Sequence, residues 1–479
     1  MAQVTIEQRP LYDVLPVGQQ IMFSVSDNTT VATKFKVKFV AEVHVSNQNI
    51  NLSNNNARIG LFKTTPNNKG VGIFDLRSIL ETFVKPDNEG SKFGNGSRYK
   101  GTEVAHPVHL IDKFAVSENA IKFFAVQFFV EWAEGPDDSL QHGGFKNTGQ
   151  FIIFNGVLPY DYPLTLENGD FGYGLAENYW HLSKSGGGKF LTNAPATFGA
   201  GVGEANYRAK ARLTDYGTLP FLDWLPDPTT NDVVKFEFFY YYQGVLQDSE
   251  SLNYGWTPGG VTNFGKWVYQ YLVYFGAFPA NLRSWSTKFQ ALITAGTIDH
   301  YFIRPHNTEG GAPGYYIDII CPNGEGYNKG YEMIRLTWLN QWGVWDYYTF
   351  NMKSTRSIKT KRIPYTQSSG TWNESTFKIA GWKGGKKNFR VNSTEKIKIN
   401  TDFVNEAEGV WLEELMSSTE VYIIKEYESG DDSATITNKY IEPVTVTTSK
   451  YVTKTIANDK LMQYTFEIEK GKMQRTQSA

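Results

Sequence analysis

The sequence predicts a mainly β, multi-domain protein: two or three β-sandwich-like domains, one or two short helices and long glycine-rich loops. Three observations carry this. Aromatic residues make up 15% of the 479, including 28 Tyr and 32 Phe, and such side chains favour the pleated surface of strands. There are 44 glycines, enough to supply turns between many short strands. Many segments alternate apolar with polar residues at a period of two rather than 3.6. With 41% hydrophobic and 20% charged residues the composition is that of a packed chain, and the length exceeds what one core holds.

Taken in order, "KFKVKFVAEVHVS" sets Phe35, Val37, Phe39, Ala41, Val43 and Val45 on one face and Lys34, Lys36, Lys38 and His44 on the other, the pattern of a half-buried strand. "FDLRSILETFV" (74–84) reads as one short helix. "AIKFFAVQFFVEW" (120–132) is apolar on both sides and suits a central strand, and "GQFIIFNGVLPY" closes the first β unit. From about residue 158 to 228 glycine-rich stretches such as "LENGDFGYGLAENYW" and "FGAGVGEANY" read as long surface loops. Strands resume with "VVKFEFFYYYQGVL", "KWVYQYLVYF", "KFQALIT", "GYYIDIIC" and "YEMIRLTWL". "IRLTWLNQWGVWDYYTF" reads as a β-hairpin turning at "NQWG", with aromatics on both faces. One face should bury in a sandwich; the other should be covered by a loop or a neighbouring subunit.

Beyond residue 350 the charge pattern changes. Residues 351–400 hold 12 Lys/Arg against 2 Glu, and residues 401–450 hold 11 Asp/Glu against 3 Lys. Within the acidic block "NEAEGVWLEELMSS" reads as a helix with Asn405 as N-cap and Glu406 and Glu408 in its first turn. Its buried face is expected to run through Ala407, Trp411 and Leu415, flanked by Leu412 and Met416. Strands "EVYIIKEY", "EPVTVTTSKYVTKT" and "KLMQYTFEIEK" follow. The expected organisation is an N-terminal sandwich over 1–157, a central β-rich domain with the glycine-rich insertion over 158–350, and a C-terminal β domain with one helix over 351–479.

Chemistry is sparse. "SKSGGGKF" has Ser183 and Phe190 where a phosphate loop needs Gly and Ser/Thr, and "FGAGVGE" misses dinucleotide-loop spacing. His106 and His109 have no third metal ligand nearby in sequence, and the single cysteine, Cys321, follows a strand and is expected to be buried. Glu131, Asp137 and Asp138 are the acids weighed for a glycosidase pair, though no pattern singles them out. No catalytic residue, metal or cofactor is therefore expected. The N-terminal "MAQVTIEQRPLYDVLPV" lacks a basic start followed by an apolar run, so no secretory signal is expected; nor is membrane insertion. The net charge of −2 argues against general attraction to nucleic acid.

Contact is the remaining function. Candidate contact residues are Lys353, Arg356, Lys383, Lys386 and Lys387 in the basic block, Glu413 and Glu414 in the acidic block, and Tyr173, Tyr179 and Trp180 in the glycine-rich loops. The opposed charges favour docking of one block on the other, within a chain or between copies. The exposed loop aromatics suit a partner or a host-surface glycan.

Three stretches carry a resemblance: "KFLTNAPATF" with "RLTDYGTLPFLD", the hairpin "IRLTWLNQWGVWDYYTF", and "WLEELMSSTEVYII" followed by the closing strands. Together they resemble virion structural proteins of tailed bacteriophages, of the tail-tip, baseplate or fibre-attachment type. The resemblance implies a non-enzymatic subunit present in several copies per particle, assembled in the host cytoplasm, with copies of itself and other tail proteins as partners. The rival expectations are a carbohydrate-binding receptor module of a tail fibre and a β-fold glycoside hydrolase.

Overall fold

The computed structural model describes residues 3–47, 50–52, 57–86, 114–117, 119–158, 162, 164–173, 190–195, 207–222, 233, 235–253, 272–306, 314–320, 331–379, 381–425, 441–452, 462–471 and 474–475. The protein is mainly β, with several separate sheets and short helices. It forms two compact units: Met1–Glu325 with Leu339–Tyr348 and Glu426–Thr437, and Gly326–Trp338 with Thr349–Lys425 and Asn438–Ala479.

The first unit holds two sandwich-like cores. In one, a three-stranded sheet (Thr5–Gln8, Met22–Ser26, Val71–Asp75) faces a larger sheet ordered Val14–Pro16, Phe151–Phe154, Ile121–Ala133, Phe35–Ser46, Arg58–Thr64. Rings fill the space between: Phe23 lies 5.5 Å from Phe128 and 5.7 Å from Phe151, and Phe74 lies 5.5 Å from Phe128. Gly72 is required here, since a Cβ would meet the Phe39 ring at 2.5 Å. Ile121–Ala133 is the central strand its two-sided apolar sequence predicts, paired with Phe151–Phe154 and Phe35–Ser46.

The neighbouring strand departs from expectation at both ends. Phe35 is exposed rather than buried, because Lys36 takes φ 50° and the register slips between Phe35 and Lys38, which turns Phe35 away from the face it was expected to share. His44, expected on a polar face, is fully buried; its Nε2 lies 3.2 Å from Glu42 Oε1. Both faces of this strand are covered from Phe39 to His44.

The second core packs a five-stranded sheet (Tyr207–Arg212, Tyr315–Ile320, His300–His306, Lys235–Tyr242, Val245–Asn253) on a three-stranded one (Thr218–Leu222, Leu272–Gly276, Phe114–Val116). Phe236 and Phe275 stack across the interface at 4.3 Å, with Phe114 and Phe221 beside them. The hairpin Lys235–Tyr242/Val245–Asn253 turns at Gln243 and Gly244, both at positive φ (49° and 78°), as a two-residue turn compatible with strand twist requires. The segment "KFQALIT", read from sequence as a strand, is instead part of the helix Thr287–Ala295. Ser286 caps it by accepting from Phe289 N, Gly296 ends it at φ 68°, and Phe289 packs on Tyr240 and Tyr301.

The second unit is built on a sheet ordered Trp345–Phe350, Ile334–Leu339, Val421–Ile424, Ile441–Val446, Thr465–Lys470, Gly385–Asn400, Thr355–Gln367. The hairpin tip Leu339–Tyr348 groups with the first unit. The helix Glu406–Ser417 begins as the sequence predicts: Asn405 Oδ1 accepts from Glu408 N at 2.8 Å, and Glu408 Oε2 accepts from Asn405 N at 2.9 Å, a complete capping box. Its buried stripe, however, is Gly409, Trp411, Leu412 and Leu415, while Ala407 is exposed. Gly409 places the helix directly against Tyr464, where a Cβ would come within 2.7 Å of the phenol oxygen.

Five short α-helices occur among the described residues, more than the one or two expected: Asn28–Thr33, Arg77–Leu80, Pro279–Arg283, Thr287–Ala295 and Glu406–Ser417. "FDLRSILETFV" is divided, its first two residues ending the strand Val71–Asp75 and Arg77–Leu80 forming the helix, followed by a 3-10 turn.

Candidate interaction surface

Two consecutive hairpins hold most of the tryptophans of the second half, and they use them oppositely. In the first, Ile334–Leu339/Trp345–Phe350, Trp338, Trp342 and Trp345 are fully buried, and so are both faces of each strand. The face expected to wait for a loop or a neighbouring subunit is thus covered by the chain itself. Several polar side chains inside are hydrogen-bonded, whereas Thr337 Oγ1 and Trp338 Nε1 find no partner among the described residues. Asn340 Oδ1 accepts from Trp342 N (3.0 Å) and Val344 N (3.3 Å), while its Nδ2 donates to Leu191 O at 2.8 Å. Trp342 Nε1 donates to Asn193 Oδ1 at 3.1 Å, and Tyr347 OH lies 2.9 Å from Thr218 Oγ1. Trp338 packs on Trp411 of the helix at 5.1 Å. "LTN" and "GTLPF" thus hold the hairpin tip within the first unit, and within the second the helix packs on Trp338. Their side chains bind structure together.

A second aromatic group lies on the outer face of the five-stranded sheet. Tyr241 stacks on His300 (5.0 Å, 3°), Phe302 lies 4.5 Å from Tyr316, and Phe239 lies 6.1 Å from Phe302. Arg208 sits over Tyr316 at 5.7 Å and makes a two-bond fork to Asp318, both at 2.7 Å, which holds its guanidinium firmly charged. These rings lean on one another across strands. A sugar platform needs free ring faces, and this ladder has spent them on cross-strand pairing.

The other hairpin, Thr355–Gln367/Gly385–Asn400, is exposed along its first strand from Thr355 to Pro364, with Tyr365 and Gln367 half-buried. Among the described residues only the root of its second strand has neighbours on the far side: Lys396–Asn400 pair with Thr465–Lys470, and Asn392 and Ser393 with Gln474–Arg475. Gly385 to Val391 run on beyond, roughly 20 Å of two-stranded ribbon. At its tip Thr371 Oγ1 accepts from Lys378 N (2.9 Å), Trp372 Nε1 donates to Ser369 O (2.7 Å), and Trp372 meets Phe377 edge-on. Even so, Trp372 is 72% exposed, Trp382 73% and Ile379 82%, with Phe377 and Phe389 also exposed.

Charge separates the root of this arm from its tip. At the root Arg356 binds Glu332 and Glu395 (2.8 Å to the latter), Lys470 binds Glu395 at 3.0 Å, and Lys396 binds Glu467 at 2.7 Å. Glu332 holds Arg356 above its ordinary range. Burial pushes Glu395 up, but Lys470 and Arg356 outweigh it and leave the carboxyl below its usual value. These acids, Glu332, Glu395 and Glu467, lie outside the acidic block. Further out, Lys386 is exposed, Lys383 lies over the Trp382 ring at 5.2 Å, and Lys387 Nζ donates to Trp382 O at 3.3 Å.

The remaining candidates fall as follows. Lys353 is exposed at the foot of the arm. Glu413 is exposed and Glu414 half-buried on the helix Glu406–Ser417. Tyr173 ends a small hairpin, half-buried and edge-on to Phe171. Tyr179 and Trp180 lie outside the described residues, as do His106, His109 and Cys321. Glu131 is held by Lys63 through both carboxylate oxygens (2.6 and 2.8 Å), and Asp137 and Asp138 are exposed in the turn that follows its strand. Among the described residues no group of three or more His, Cys, Asp or Glu side chains could hold a metal ion, and no helix is long and apolar enough to cross a membrane. Sequence reasoning singled out the lysines of the arm but not its exposed Trp372, Phe377, Ile379, Trp382 and Phe389. The signal was "TWNESTFKIAGWKGG", apolar residues without a period, punctuated by glycine. Compared with known proteins, the chain matches no family model, and no curated protein matches it.

Proposed function

We propose that this chain is a non-enzymatic structural subunit of a tailed-phage virion, in the tail, baseplate or fibre attachment, acting through contacts among copies of itself and with other tail proteins. The observation that carries the reading is the projecting arm: a ribbon with two exposed tryptophans and a fringe of lysines is costly in water and suited to association. The resemblance of the three stretches to tail proteins supplies the setting, and the buried contacts of the hairpin with the other stretches fit a subunit whose most distinctive residues serve rigidity.

Sedimentation velocity and negative-stain imaging of the purified chain test this. The expected result is a discrete closed oligomer at micromolar concentration. A monomer that stays monomeric at high concentration while hydrolysing a host polysaccharide would overturn it. Trp372 and Trp382 also favour a second reading, a glycan-binding arm, since exposed indoles stack on sugar rings. A glycan array separates the two: glycan binding lost on Trp372→Ala and Trp382→Ala would support the second.

A further inference from the structure

Resting on the multimeric reading, we infer that the arm Thr355–Gln367/Gly385–Asn400 of one copy seats on the exposed face of the helix Glu406–Ser417 of a second copy. Between Thr355 and Thr394 the arm carries nine Lys/Arg and one acid, Glu374. Among the described residues nothing layers on the outer ribbon, and a bare two-stranded ribbon is marginal in water, so this one needs a cover. Its surface says what the cover must offer: apolar area for the exposed Trp372, Ile379 and Trp382, and negative charge for the exposed Lys386 and the half-buried Lys383 and Lys387 beside Trp382.

The helix offers both on its free side. Phe403, just ahead of the N-cap, is 53% exposed and Val410 is 54% exposed, flanked by the exposed carboxylates of Glu406 and Glu413. Glu406, Val410, Glu413 and Ser417 succeed one another at spacings of four, three and four, a single helical face opposite the buried Trp411, Leu412 and Leu415. The two surfaces thus match in kind, apolar centre to apolar centre and cation to carboxylate. Within one chain both are exposed at once, so neither covers the other. The occupant is therefore a second copy. Joining two different patches makes a head-to-tail contact, which closes into a ring when the rotation permits.

The charge signs give a test. Lys383→Glu/Lys386→Glu/Lys387→Glu on the arm, and Glu406→Lys/Glu413→Lys on the helix, should each weaken association at least about tenfold, with unchanged thermal melts. Mixing the two variants should restore it, because each then offers the surface the other lacks. Trp372→Ser/Trp382→Ser is an arm variant without charge change and should weaken association similarly, which keeps the test open if a reversal misfolds. Association of the native chain should also fall with added salt. Oligomers unaltered in all three variants would overturn the docking and leave the multimeric reading standing, whereas a native chain that never associates would remove both. If arm variants assemble normally but lose binding to single-stranded DNA or to phosphatidylserine vesicles, the arm serves an anionic polymer or lipid surface and the inference fails.

Discussion

The two consecutive hairpins of the second half differ in what surrounds their rings, not in how many rings they carry. In the first, the residues interleaved with aromatics are Arg335, Thr337, Asn340, Asp346 and Thr349, all buried. Arg335 Nη1 donates to Thr349 Oγ1 at 2.9 Å, and the asparagine makes three bonds. In the second, the interleaved residues are lysines and arginines, too many for any local set of acids to pair. Burying an unpaired ammonium costs more than burying an indole gains, so the lysines hold the second hairpin in water and its tryptophans stay out with them. The presence of aromatic rings is thus a poor guide to burial when read without the polar residues beside them.

The sharpest way to break this comparison is a pair of tryptophans. Trp338→Ala should cost about 3–5 kcal/mol, read by denaturant unfolding, because the side chain is fully enclosed and stacked on Trp411. Trp382→Ala should change stability by less than about 0.5 kcal/mol. Equal costs would mean that the two hairpins are packed alike.

A pair of glycines repeats the contrast. Gly343 has φ 71°, and a Cβ there would lie 1.7 Å from Asn155 O, so Gly343→Ala should lower stability by about 3 kcal/mol or more and displace the tip. Gly385 has φ 80° but open space around it, and Gly385→Ala should cost only about 1 kcal/mol of backbone strain. Thermal melts of the two variants, compared side by side, give the answer.

Asn340→Ala tests how far the buried bonds at its turn steady the first hairpin. It strands two backbone N–H groups and the Leu191 carbonyl, and should cost about 2–3 kcal/mol. A change below about 0.5 kcal/mol would show that the bonds are incidental.

The smallest effect lies at the root of the arm. Lys470 and Arg356 depress the Glu395 carboxyl against the opposing push of burial, so its stabilisation is present above the ordinary carboxylate range and lost as pH falls through the depressed value. Glu395→Gln should cost about 1 kcal/mol at neutral pH and flatten the acid limb of stability below about pH 4.5. An acid limb identical to that of the native chain would rule this pair out as a source of it.

Much of the architecture was legible because the governing signals are local. The two-sided apolar run of Ile121–Ala133, the turn at "NQWG" and the cap at Asn405 all depend on near neighbours in sequence. The helix Thr287–Ala295 was misread because Phe289, Leu292 and Ile293 suggest a strand, although its Ser286 cap and Gly296 stop were both present. The bonds of Asn340 to Leu191 and of Trp342 to Asn193 join residues about 149 apart, which no periodicity reveals. The arm was half legible: its lysines form a visible run, but the exposure of Trp372 and Trp382 follows from a ribbon that outruns its sheet.

The short strand Phe114–Val116 pairs with Leu272–Gly276, and Phe114 is enclosed by Phe236 and Phe275. Its partner is synthesised roughly 160 residues later, a delay of about 8–30 s at ordinary ribosomal speed. From residue 154 onward the first sandwich has all its strands while this greasy segment hangs unclaimed. The birth of the protein therefore includes a window in which a holding chaperone has something to grip, and in which crowded nascent chains can pair wrongly.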